Sequence, residues 1–167
     1  EFADLENVEY FFGFDPQREE ELTLLYPREP WQNAGLEIFP IYSNDTGVGF
    51  LVKADGLVIF HTGDHANRHR NLSGDYLPEI EYLQSLNKEI DLAFMPVSGC
   101  NFGDDEAVRI GVYKTIDILQ PKYFMPMHAG GNEARYVDFN QALTDAGYGL
   151  NKFSAIDMGD RFIYSKN

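Results

Sequence analysis

The sequence predicts an α/β domain, and three observations carry that expectation. First, the runs Leu36–Tyr42, 47–53 and Leu57–His61 are apolar and of strand length, and Asp55-Gly56 supplies the positive φ that a tight hairpin requires. Second, strands and helices alternate afterwards, with apolar residues at helical spacing over 75–87 and short buried runs at 91–96 and Tyr123–Met127. Third, two of the buried runs stop abruptly at chemistry-bearing residues: Phe60-His61-Thr62-Gly63-Asp64-His65 in one and Pro126-Met127-His128 in the other. Strands that carry Asp or His just past their ends deliver them to one edge of a sheet, where catalytic and metal sites form.

The remaining elements follow in order. Residues 1–35 read as a peripheral N-terminal segment: a strand over 8–14, a short helix in the acidic stretch 15–28, and a linker marked by Pro27 and Pro30. Residues 65–74 are polar and read as a loop over the strand ends. Leu77, Ile80, Leu83 and Leu86 place one stripe on the helix at 75–87. Asp104 or Asp105 caps the next helix, with Val108, Val112, Ile116 and Leu119 on its stripe and Pro121 as its stop. A third helix over 136–146 ends at Gly147. Residues 153–156 and 161–164 around Met158-Gly159-Asp160 read as a closing hairpin.

Composition limits the function classes. A chain of 167 residues suits a single domain that buries roughly 70% of its unfolded surface. With 27 Asp and Glu against 13 Lys and Arg, the formal charge of -14 repels a phosphate backbone, so nucleic acid is not an expected partner. No apolar run approaches the roughly 20 residues of a membrane span. The expectation is a soluble protein without membrane contact, in the cytoplasm or the periplasm. The single Cys100 excludes an intrachain disulfide framework; its thiol is either incidental or reactive.

The candidate site residues are Asp64 and His128, as catalytic and metal-binding groups. Gly63 lets the backbone turn tightly and leaves the Asp64 carboxylate at the sheet edge, where it either caps a loop or binds metal. His128 ends its strand before the Gly130-Gly131 break, either satisfied by the turn or free as a ligand. His61 reads either as structural or as a group that orients the Asp64 carboxylate through its ring N–H. His65, next in chain to Asp64, points away from it, and His69 sits on a solvated loop beside Arg68 and Arg70. Ser43-Asn44-Asp45 is a turn whose carboxylate could also reach the edge.

Taken together, Asp45-Thr46-Gly47-Val48-Gly49-Phe50, Asp55-Gly56, Ile59-Phe60-His61-Thr62-Gly63-Asp64, Asp91-Leu92-Ala93-Phe94-Met95-Pro96, Glu106-Ala107 and Pro126-Met127-His128 resemble the metallo-β-lactamase fold superfamily. They look most like its broad branch of metal-dependent hydrolases, from about Leu36 to the C-terminus. The resemblance implies an αββα sandwich, with metals at the edge where two sheets meet. Asp64 matches the bridging aspartate and His128 the last histidine ligand, while Asp45 would stand in for a further histidine as the third metal ligand. The His-x-His-x-Asp-His motif of the first half is absent, and the histidines are His61, His65, His69 and His128 alone.

This chain is therefore either the C-terminal part of a longer protein or a degenerate relative. The leading expectation is a hydrolase that uses a divalent metal, zinc or else iron or manganese, on a small-molecule ester, amide or phosphodiester. A missing N-terminal half or a second chain would complete the sandwich, and this chain alone would be under-occupied with metal. The alternatives are a non-catalytic binding or assembly module, and a metal-free binder holding an anion at the Gly130-Gly131-Asn132 turn.

Overall fold

A computed structural model describes residues 8–13, 23–45, 47–98 and 104–165. Phe11–Gly13 (β1) and Thr23–Leu25 (β2) pair in parallel as a small separate sheet. Among the described residues the main sheet has seven strands standing side by side in chain order. They are Trp31–Asn33 (β3), Leu36–Tyr42 (β4), Val48–Ala54 (β5), Leu57–His61 (β6), Leu92–Pro96 (β7), Tyr123–Met127 (β8) and Asn151–Lys152 (β9). β3 to β6 form an antiparallel meander, and β6 to β9 run parallel. Tyr76–Ser85 (α1), Asp105–Leu119 (α2) and Ala134–Asp145 (α3) make the three crossovers.

Local chemistry explains the boundaries. Asp55 and Gly56 both take positive φ, 50° and 76°, which matches the twist of a two-residue hairpin between β5 and β6. The Asp104 carboxylate accepts from the backbone N–H groups of Glu106 and Ala107 and so starts α2, while Gln120 in the left-handed region ends it. Asp91, fully buried before β7, accepts from Val58 N–H (2.9 Å), Lys122 Nζ (2.8 Å) and the Tyr164 hydroxyl (2.9 Å). One carboxylate thereby ties β6, the start of β8 and the C-terminal segment together.

The registers sort the sheet into two faces. Leu51, Phe60, Ala93 and Phe124 lie in one row across β5 to β8. They pack with Ile80 and Leu83 of α1, Val112 and Ile116 of α2, and Phe139 and Leu143 of α3. All three helices therefore cover the same face, and each fully buried large side chain there contributes about 1.5–3 kcal/mol. The opposite face carries the rows Ile38, Val52, Ile59, Leu92, Tyr123 and Pro40, Phe50, His61, Phe94, Met125. Aromatic contacts cover its margins: Phe11 meets Trp31 edge-on at 4.6 Å, and Phe162 and Tyr164 each lie 5.2 Å from Tyr123. Phe50, Val52, Ile59 and Phe94 in its middle are only half-buried.

Three expectations are corrected. Residues 153–164 form no hairpin: Asp160 accepts from the Ile156 and Asp157 N–H groups and curls the chain, and Phe162 and Tyr164 spend their rings on Tyr123 rather than on a ladder. Thr23–Leu25 is strand rather than helix, held by β1; the rest of the expected helix up to residue 22 lies outside the described residues. Trp31–Asn33, expected within the peripheral segment 1–35, is the edge strand of the main sheet.

Candidate functional site

The C-terminal ends of β6, β7 and β8 are neighbours on one edge, because these three strands are parallel and adjacent. After β6, the chain turns through Thr62-Gly63-Asp64-His65, closed by a hydrogen bond from His65 N–H to the Thr62 carbonyl at 3.2 Å. Gly63 sits at φ 60°, and a Cβ there would lie 2.6 Å from the Val48 carbonyl oxygen, so the turn hugs β5 too closely for any other residue. Asp64 is thereby presented at the edge. After β8, His128 takes a left-handed φ of 63°. Strand ends two places apart are about 10 Å from each other, yet the two loops fold across the end of β7 and bring His128 Nε2 to 2.8 Å from Asp64 Oδ1. The Asp64 side chain is 51% exposed and that of His128 28%.

The other histidines divide clearly. His61 Nδ1 accepts from Gly63 N–H at 3.1 Å, and its ring stacks on Phe94. It supports the backbone of the turn. Burial, then the neighbouring His128, hold its pKa below the usual imidazole range against an opposing pull from Asp64. His65 is buried; its Nδ1 accepts from Asn44 N–H at 3.2 Å and its Nε2 faces the Tyr76 carbonyl at 3.1 Å, so it anchors the loop of residues 43–45 to α1. His69 is exposed. Cys100 lies outside the described residues.

A pocket of about 30 Å³ opens beside the pair, with Asp45, Asp64, Arg68, Ser98, Asp104 and His128 in its wall. That is room for roughly two waters. Each carboxylate in the wall has a basic partner: Asp64 has His128, Asp45 has Arg68 at 3.6 Å, and Asp104 has Arg70 at 2.7 Å. The Arg70 guanidinium beside Asp104 holds that carboxyl below the usual range. Arg68, Ser98 and Asp104 were not expected as part of the site. The signal available for Ser98 was its place just past β7, between the strands that carry Asp64 and His128.

Zinc binds imidazole nitrogen and carboxylate oxygen at about 2.0–2.2 Å in a tetrahedral shell, which keeps neighbouring donors about 3.3–3.6 Å apart. At 2.8 Å Asp64 Oδ1 and His128 Nε2 contact each other directly, and spreading by about 0.5–0.8 Å would let both reach one ion. Among the described residues, however, no group of three His, Cys, Asp or Glu stands close enough to hold a metal ion. Asp45, expected as the third ligand, lines the pocket but does not form such a group with the other two, and Arg68 holds it instead. Asp64 and His128 by themselves fall short of the three or four protein donors that a zinc site uses. At the Gly130-Gly131-Asn132 turn the Asn132 N–H bonds the Ala129 carbonyl, and beyond it the Arg135 and Tyr136 N–H groups bond the Asn132 and Glu133 carbonyls.

This architecture is a metallo-β-lactamase fold. The chain overlays on YhfI of Bacillus subtilis, a metallo-β-lactamase fold protein, over 83% of its own length and 56% of that chain, with a TM-score of 0.50 and 8% identity. CmlA, a diiron β-hydroxylase from Streptomyces venezuelae, matches 79% of this chain over 33% of its own, with a TM-score of 0.52 and 10% identity. Among sequences, a UPF0173 metal-dependent hydrolase of Pyrococcus furiosus is 31% identical over 88 residues, and one of Thermococcus onnurineus is likewise 31% identical. These matches cover 52% of this chain and 33% of each relative, so the match spans about a third of the length of those proteins. No protein-family model matches the chain. A shared fold does not by itself decide the reaction.

Proposed function

We propose that the complete protein is a metal-dependent hydrolase, and that this chain contributes Asp64 and His128 to its active site. The observation that carries the reading is the 2.8 Å contact between Asp64 Oδ1 and His128 Nε2, made by loops from two different strand ends. The similarity to UPF0173 metal-dependent hydrolases supports it. When bound, a divalent metal lowers the pKa of a water and stabilises the charge that develops on an ester, amide or phosphodiester. One carboxylate oxygen and one imidazole nitrogen suit zinc, and also iron or manganese. Asp64 and His128 hold their donor atoms aligned through their mutual contact, and Asp45 joins them only by leaving Arg68.

The remaining ligands come, in this reading, from an N-terminal half or a second chain seated on the sheet face opposite the helices. The half-buried state of Phe50, Val52, Ile59 and Phe94 supports this, as does the 56% coverage of YhfI. Metal content and kcat of the complete protein with Asp64→Ala, His128→Ala and His69→Ala test the proposal. The first two should lose metal and turnover and the third neither; wild-type turnover in Asp64→Ala would overturn it. A second reading, a non-catalytic binding or assembly module, is favoured by one observation: each pocket carboxylate already has a basic protein partner. That reading predicts no turnover and no metal in the wild-type complete protein.

A further inference from the structure

We propose that Ser98 and Tyr136 are positioning residues for His128, acting together on the single peptide bond that follows it. His128 lies at φ 63°, a region that costs a residue with a Cβ roughly 1–2 kcal/mol and persists only where the surroundings enforce it. Its carbonyl accepts a hydrogen bond from the Ser98 hydroxyl. The next N–H, that of Ala129, donates to the Tyr136 hydroxyl at 3.2 Å. That carbonyl and that N–H belong to one planar unit. Holding both ends of the plane fixes ψ of His128, and with the left-handed φ this sets where the imidazole points.

The two hydroxyls come from opposite sides. Ser98 is 6% exposed and follows β7 by two residues, and the N–H of Val97 between them donates to the Met127 carbonyl at 3.0 Å. Tyr136 comes from the first turn of α3. Between them the peptide has no freedom to flip, and His128 Nε2 stays on Asp64 Oδ1. This inference rests on the proposed role of His128, but its test does not depend on metal or turnover.

The experiment uses the full chain with ¹⁵N-labelled histidine. For Ser98→Ala, Tyr136→Phe, the double variant and Ser98→Thr, NMR reads the His128 HN–Hα coupling, its ring ¹⁵N shifts and its cross-peak to the Asp64 side chain, alongside Tm. The expected result is a cross-peak several-fold weaker and shifted ring nitrogens in Ser98→Ala and Tyr136→Phe, a larger effect in the double variant, and wild-type values in Ser98→Thr, which keeps the hydroxyl. A lowered Tm with unchanged His128 coupling, ring shifts and cross-peak would mean that the hydroxyls only satisfy a buried peptide, and would overturn the proposal. If the double variant does not fold, the two single variants decide by the same readouts.

Discussion

Replacing Gly111 by alanine sets two effects of known size against each other. Gly111 lies inside α2, where alanine is favoured over glycine by about 1 kcal/mol on helix propensity alone. A Cβ at this position, however, would stand 2.3 Å from the Asn67 Cβ and 3.2 Å from Tyr76 Cε1. The first contact cannot be relieved by a rotamer change, because the Asn67 Cβ is fixed to its backbone; the loop itself must move. Overpacking of this kind costs about 1–3 kcal/mol. Moving Asn67 also endangers its donated bonds to the Ala107 carbonyl at 2.6 Å and the His69 carbonyl at 2.8 Å. Each such bond is worth about 1 kcal/mol, and more where a buried partner is orphaned. The net expectation is a loss of about 2–4 kcal/mol, which for a chain of this size lowers Tm by roughly 5–15 °C. Thermal unfolding followed by circular dichroism measures it, and a Gly111→Ala protein that melts at or above wild type would refute the packing argument.

Other outcomes follow from the same contacts. Burial holds the His65 pKa below its ordinary 6.5, so the unfolded chain takes up the proton first. Its contribution to stability is therefore full above about pH 6.5 and declines as pH falls toward the folded pKa. Denaturant midpoints should drop less on acidification in His65→Gln, and equal slopes would contradict this. Arg28→Ala leaves the nearly buried Glu79 carboxylate with the Tyr42 N–H in place of a guanidinium at 2.7 Å. Because the Arg28 side chain is 44% exposed, the cost should be about 1–3 kcal/mol, below that of a fully buried pair, read as a shifted urea midpoint. The chain by itself should retain well under one zinc, iron or manganese after dialysis, since two donors fall short of the three or four a site needs; stoichiometric metal in elemental analysis would count against it.

How much was legible depended on how local the cause was. The Asp55-Gly56 hairpin, the Asp104 cap and the apolar stripe of α2 are decided within a few residues, and the chain carries them openly. The meeting of Asp64 and His128 was legible one level up, because alternating strands and helices make a parallel sheet whose ends share an edge. Ser98 and Tyr136 were not, since their hydroxyls reach the His128 peptide from 30 residues upstream and from a separate helix. The apolar residues at 161–164 misled because their rings pack on Tyr123, a contact that no alternation pattern distinguishes from strand pairing.

The strands also carry a larger signal than either face shows alone. Leu57-Val58-Ile59-Phe60, Leu92-Ala93-Phe94-Met95 and Tyr123-Phe124-Met125-Pro126-Met127 are continuous apolar runs rather than alternating ones. Such runs belong to strands covered on both sides. Helices α1 to α3 account for one side, through Phe60, Ala93, Met95 and Phe124. Ile59, Phe94 and Met127 point to the other, where they remain half-buried, and His61 stacks on Phe94 at the end of that face beside the Asp64 turn. A layer laid over Ile59 and Phe94 would thus end next to Asp64 and His128. On the proposed reading, a partner over Ile59 and Phe94 would bring its side chains to Asp64 and His128, so covering the half-buried part of this face and completing the ligands would be one event.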